Sequence, residues 1–130
     1  MGARLGAIAL DCEDPVALAR FYGALLGAPV AYESEGFAAV RLRGVWLTAH
    51  RVEGHEPPTW PDPATPKQAH LDVSVDDLDA EVARALALGA TRREAPSGGG
   101  FVTLLDPAGH PFCLTTNVPD PDDEDFDGGT

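Results

Sequence analysis

Residues 14–28 read DPVALARFYGALLGA and residues 76–90 read DDLDAEVARALALGA. In each stretch an acidic residue opens an apolar run at helical spacing and Leu-Gly-Ala closes it. Asp14 to Asp76 and Gly27 to Gly89 are both 62 residues apart. A period that long in 130 residues leaves room for two copies of one supersecondary unit, and none for the three or more that a solenoid requires. Function is therefore expected between the halves, where two copies make one concavity.

Outward from the first helix the chain alternates. RLGAIALDC, residues 4–12, puts Ile8 and Leu10 on one side and Ala7, Ala9 and Asp11 on the other, the period of a half-buried strand. Asp14 then caps the helix, Pro15 suits its first position, Leu18, Phe21, Tyr22 and Leu25 form its apolar stripe, and Gly27 ends it. Strands are expected at about residues 29–33, 37–43 and 45–51, with a tight turn at Gly44. The second unit repeats that order. In AHLDVSV, residues 69–75, Leu71, Val73 and Val75 face one way and His70, Asp72 and Ser74 the other. Leu78, Val82, Ala85 and Leu86 line its helix. Strands follow at about residues 90–94, 101–105 and 111–115, with turns at 97–100 and at Asp106-Pro107-Ala108-Gly109. Unit one thus spans about residues 4–52, a proline-rich connector 53–66, and unit two about 67–117.

Composition bounds the function. A hydrophobic content of 44% in 130 residues suits one globular body with its own core. The formal charge of -12, with no basic stripe, argues against nucleic acid. Half of that charge lies in residues 118–130, where Asp120, Asp122, Asp123, Glu124, Asp125 and Asp127 alternate with prolines and glycines, so a mobile, solubilising tail is expected. The rest of the body is still acidic, which would suit a cationic ligand. No segment is suited to spanning a membrane, and the apolar run Leu5 to Leu10 is too short for a secretory segment, so a cytoplasmic protein is expected. Cys12 and Cys113 are too few for a disulfide framework and are expected to be free. One lysine beside eight arginines hints at a GC-rich bacterial genome.

Each apolar strand face needs the apolar stripe of its own helix over it, since neither is stable in water. The expected fold is therefore α+β: two tandem βαβββ units forming a cupped mixed sheet with helices on the outer face. The opposite strand faces then line a shared hollow. It receives Ala7, Ala9 and Asp11, His70, Asp72 and Ser74, Trp46, Thr48 and His50, and Cys113 and Thr115, with Arg41 and Thr103 joining from the third strands. Phe21 and Tyr22 fall in the core. Trp60 is expected over the mouth of the hollow if the connector crosses it. His110, in a turn, and His55, in the connector, are expected in water.

Several segments together resemble the vicinal oxygen chelate superfamily of glyoxalases, extradiol dioxygenases, fosfomycin-resistance transferases and bleomycin-resistance proteins. They are the Asp-Pro, Phe-Tyr and Leu-Gly pairs at Asp14, Phe21 and Leu26, HLDVSVDDLDA from His70, LLDPAGHPFCL from Leu104, and PPTWPDP from Pro57. The likeness covers about residues 4–116 and is nearest to small glyoxalase-like domains. It implies a metal ligand from the first strand of each unit and another, usually Glu, from the last. Those positions correspond here to Ala7, His70, Thr48 and Cys113, of which His70 is a good ligand and Cys113 a usable one. Ordinary metal-dependent glyoxalase chemistry is therefore not expected.

Two classes of function remain open at this stage. The first is a metal-independent binding protein without a cofactor, holding a small hydrophobic or aromatic molecule among His70, Asp72, His50, Thr48, Trp46, Trp60, Cys113 and Arg41. The second is a lyase, isomerase or dioxygenase with His70 as general base or as metal ligand, its divalent ion held by a reshuffled set of His50, His70, Cys113 and Asp72. An interaction module with a filled hollow fits less well, because Ala7, Ala9, Thr48 and Ser74 leave space. The resemblance also implies a homodimer, which would cover exposed strand edges.

Overall fold

The computed structural model describes residues 2–60, 62–92 and 99–122. Unit one runs β1 (Ala7–Cys12), α1 (Pro15–Leu26), β2 (Val30–Glu33), β3 (Phe37–Arg41) and β4 (Trp46–Arg51). Unit two runs β5 (Leu71–Ser74), α2 (Leu78–Leu88), β6 (Thr91–Arg92), β7 (Phe101–Leu105) and β8 (Pro111–Thr115). The expected order is thus present twice. The turn expected at 97–100 and the tail expected at 118–130 fall partly outside the described residues.

Local chemistry explains the helix ends. The Asp14 carboxylate accepts from the Ala17 N–H at 3.1 Å, Pro15 opens α1, and Gly27 closes it in the left-handed region at φ 63°. In unit two the cap is Asp77, which accepts from the Ala80 N–H at 3.1 Å, so the helix starts one residue later than alignment on Asp76 suggests. α2 is accordingly 11 residues long against 12 for α1.

The strands form two four-stranded sheets of equal topology, β1-β4-β3-β2 and β5-β8-β7-β6. β1 lies parallel to β4 and β5 parallel to β8, and the other pairs are antiparallel. The cup is therefore two sheets meeting at a seam, since no ladder joins β1 to β5.

The halves interlock through the core. Phe21 and Tyr22 of α1 stack edge-on against Phe112 of β8, with ring centres 5.7 and 6.0 Å away. The Tyr22 hydroxyl donates to Asp106 Oδ2 at 2.6 Å, 84 residues on. From α2, the Arg84 guanidinium donates to the Leu25 and Ala24 carbonyls at the end of α1, which a positive charge favours. The connector folds back over the β7–β8 turn, where Gly109, at φ 91°, lies so close that a Cβ there would come within 2.6 Å of Pro57 Cβ. Among the described residues no helix is long and apolar enough to cross a membrane.

Candidate functional site

Strand register assigns the cup residues to rows. In unit one Ala7, Trp46 and Arg41 form one row, Ala9, Thr48 and Ala39 the next, and Asp11, His50 and Phe37 the third. In unit two Asp72 lies beside Cys113 and Thr103, and Ser74 beside Thr115 and Phe101. The alternating neighbours, such as Leu47, Ala49, Leu104 and Leu114, are buried under the helices. The face expected to line the hollow is thus the one the helices leave uncovered.

Unit one offers a floor of small side chains with aromatic flanks. The Arg41 guanidinium lies 4.5 Å from the Trp46 ring centre, a stacked cation–π pair. The Phe37 and His50 rings meet edge-on at 4.9 Å, and Tyr32 packs on Phe37 at 5.7 Å. His50 Nε2 and Thr48 Oγ1 share a hydrogen bond of 3.1 Å.

Unit two holds the polar donors. Metal-ligating atoms of His70, Asp72 and Cys113 all lie within 4.8 Å of one another. His70 Nε2 is 3.1 Å from Asp72 Oδ1, and Cys113 Sγ is 3.2 Å from Thr103 Oγ1. Lys67 Nζ lies 3.3 Å from His70 Nδ1 and 4.4 Å from the centre of the Trp60 ring. An ammonium can only donate, so Nδ1 accepts from Lys67, the ring proton sits on Nε2, and Nε2–H donates to Asp72. At the seam Ala9 and His70 border one cavity of about 100 Å³.

The sequence-predicted residues are therefore only partly brought together. His70, Asp72 and Cys113 cluster as expected. His50 does not join them, because it sits on β4, with β1 and the seam between it and β5, and its Nε2 is engaged with Thr48. Asp72 is the carboxylate that holds His70. Trp60 reaches the site indirectly, through Lys67. Lys67 went unassigned in the sequence, although being the only lysine of the chain was a usable signal.

His55 and His110 are a further correction. The connector's return over Gly109 leaves both only partly in water and sets them against each other, with ring centres 5.2 Å apart. His110 Nε2–H donates to the Asp11 carbonyl at 2.6 Å, tying the β7–β8 turn to β1. His55 Nε2 is buried without a hydrogen-bond partner among the described residues.

The two thiols differ. Cys12 is fully buried, and burial together with Asp14, Asp106 and Asp11 pushes its pKa up to about 11. Cys113 lies half-buried on the cup face.

An imidazole, a carboxylate and a thiolate suit zinc or ferrous iron and not magnesium, and three ligands are enough for an open site. By donor type and spacing the trio fits such an ion. The hydrogen bonds fit it less well: the His70 lone pair points to Lys67, and its N–H points into the trio.

Two βαβββ units packed around an open cup define the vicinal oxygen chelate class. Within it the chain belongs to the glyoxalase-like domain family, whose model matches residues 7–115. Solved structures of similar fold include a glyoxalase-related enzyme from Fulvimarina pelagi, at 22% identity over 86% of each chain with a TM-score of 0.64. A glyoxalase/bleomycin resistance protein/dioxygenase family enzyme from Burkholderia phytofirmans is 23% identical over 86% of this chain and 97% of its own, with a TM-score of 0.63. The fosfomycin resistance protein FosX from Mesorhizobium loti is 19% identical over 91% and 94%, with a TM-score of 0.67. No curated protein matches the chain in sequence.

Proposed function

We propose that the cup binds a small hydrophobic or aromatic molecule without a metal ion. The observation that carries this reading is the composition of the unit-one face. Its positions that correspond to metal ligands in the resemblance are Ala7 and Thr48, and the register sets the small residues Ala7, Ala9 and Ala39 beside Trp46 and Phe37. Small residues beside large flat ones give a ring somewhere to lie. The cup's charges are mixed, Arg41 and Lys67 against Asp11 and Asp72, so the chain's overall acidity does not select a cationic ligand there.

The test is tryptophan fluorescence of tag-free protein titrated with a panel of planar aromatic compounds, before and after chelation. Saturable quenching that survives chelation and is lost in Trp46→Ala is expected. Binding that appears only in metal-loaded protein would overturn the reading.

A second reading rests on the trio itself. His70, Asp72 and Cys113 would hold zinc or ferrous iron, which would supply a Lewis acid or an oxygen-activating centre to a lyase, isomerase or dioxygenase of this class. His70→Ala would then abolish turnover, whereas a binding protein would lose part of its affinity. We also propose a cytoplasmic protein, since the free Cys12 and Cys113 suit a reducing compartment, and a homodimer, because β2 and β6 each leave one edge without a ladder partner among the described residues. A monomer by light scattering at assay concentrations would refute the dimer.

A further inference from the structure

We propose that Lys67 is a positioning residue whose ammonium keeps metal ions off His70, Asp72 and Cys113. The inference rests on the metal-independent reading above and supplies a physical cause for it.

A histidine that ligates a metal through one ring nitrogen almost always donates its other N–H to a carboxylate, a carbonyl or water. At His70 that polarity is reversed. Lys67 Nζ stands 3.3 Å from Nδ1 as a donor, so the proton is held on Nε2, the nitrogen that faces Asp72 at 3.1 Å. Binding an ion at Nε2 would move that proton to Nδ1 and set two donors against each other. It would also place a divalent charge beside an ammonium. The ammonium is not free to swing away at no cost, because the Trp60 ring stacks on it at 4.4 Å. Three donors within 4.8 Å are thus present, with the central one facing the wrong way.

Replacing Lys67 should therefore release a latent site. Lys67→Met removes the donor and the charge, and Lys67→Glu installs the acceptor that a metal-bound histidine requires. Changes to the partner of a ligating histidine shift metal affinity by about 10- to 100-fold, and the same scale is expected here.

The experiment titrates tag-free wild type and both variants with Co²⁺ alone, following the thiolate–cobalt absorption of Cys113. It is combined with ring-nitrogen NMR of His70 in the metal-free proteins. The expected result is an Nε2–H tautomer and weak cobalt binding in wild type, and binding at least tenfold tighter in the variants, strongest for Glu. Adding His70→Ala to the Lys67→Glu chain should remove the gain, which separates a built site from mere added negative charge. Equal, weak binding by wild type and both variants, or an Nδ1–H tautomer in wild type, would overturn the role of Lys67 and leave the metal-independent reading standing. Tight binding by wild type through the same thiolate would overturn both.

Discussion

Removing the Tyr22 hydroxyl tests how the two units are held together. Tyr22 and Asp106 are 1% and 3% exposed, so Tyr22→Phe leaves Asp106 Oδ2 where water does not readily replace the lost donor. The other carboxylate oxygen keeps the N–H groups of Ala108 and His110, at 2.9 and 3.0 Å. A hydrogen bond to a charged acceptor contributes about 1.5–3 kcal/mol, and the aromatic packing is unchanged, so a loss of about 2 kcal/mol is expected at neutral pH. Burial raises the Tyr22 pKa well above its ordinary value, and Asp106 adds to the rise, so the hydroxyl remains a donor throughout.

The pH dependence has a definite sign. Burial lifts the Asp106 pKa above the ordinary carboxylate value of 3.8, although the Tyr22 hydroxyl, the His110 ring and two backbone N–H groups pull it down. The folded protein therefore takes up this proton at higher pH than the unfolded chain. The associated stability is fully present below 3.8 and is lost as pH rises through the raised folded value. Tyr22→Phe removes one of the groups that lower this pKa, so the loss extends to higher pH. The penalty should be smallest when Asp106 is protonated and reach its full size at neutral pH. Urea unfolding followed by tryptophan fluorescence across that range measures both quantities. A neutral-pH penalty under about 0.5 kcal/mol, or one unchanged in acid, would refute the assignment.

Thiol labelling of the native protein should modify Cys113 first, because the Cys12 pKa is pushed up to about 11 and its side chain is fully buried; equal rates by peptide mapping would contradict this. Gly109→Ala should cost about 2–3 kcal/mol, since it combines a positive φ with a Cβ 2.6 Å from Pro57. Gly44→Ala, at φ 76° with open space around it, should cost only about 1 kcal/mol, and equal costs would show that the connector contact is unimportant. Arg84→Ala should destabilise by about 0.5–1 kcal/mol through the uncovered end of α1, and Glu81→Ala by less, because the Arg84–Glu81 pair is partly exposed.

What was legible in the sequence follows from periodicity. Alternation in residues 7–12 and 71–74 named the cup-facing residues, since two-residue periodicity fixes which face a side chain takes. The Leu18, Phe21, Tyr22 and Leu25 stripe named the core for the same reason. Contacts set by the connector were not legible. Nothing in the spacing of His55 or His110 says that a proline-rich segment returns over Gly109 and sets those rings against each other, with His110 against Asp11, nor that Lys67 stands between Trp60 and His70. The separation of His50 from His70 was hidden as well, because a face can be read from one strand, whereas distance across a seam depends on how two sheets meet.

The two copies have diverged in chemistry while keeping their geometry. Ala9 and Asp72, and Thr48 and Cys113, occupy equivalent register positions, with Ala7 and His70 two residues before Ala9 and Asp72, and in each of these pairs unit one lacks the stronger polar donor or ligand that unit two carries. The reverse holds for Asp11 against Ser74 and His50 against Thr115, so the middle of the unit-one face is apolar while Arg41, Asp11 and His50 stand towards its ends. Burying about 150 Å² of a ring face at about 25 cal/mol per Å² gives roughly 4 kcal/mol, which alone corresponds to only about millimolar affinity. Binding in the tens-of-micromolar range under the proposed function therefore needs the unit-two side, with the second carboxylate oxygen of Asp72 and the remaining ammonium N–H groups of Lys67 adding hydrogen bonds of about 1–1.5 kcal/mol each, since both ring nitrogens of His70 are already engaged. Asp72→Ala should then weaken an aromatic ligand about tenfold and leave its contact with Trp46 intact. A ligand that bound in this range and was indifferent to Asp72 and Lys67 would mean that the unit-one side does the binding by burying far more area than its alanine floor offers.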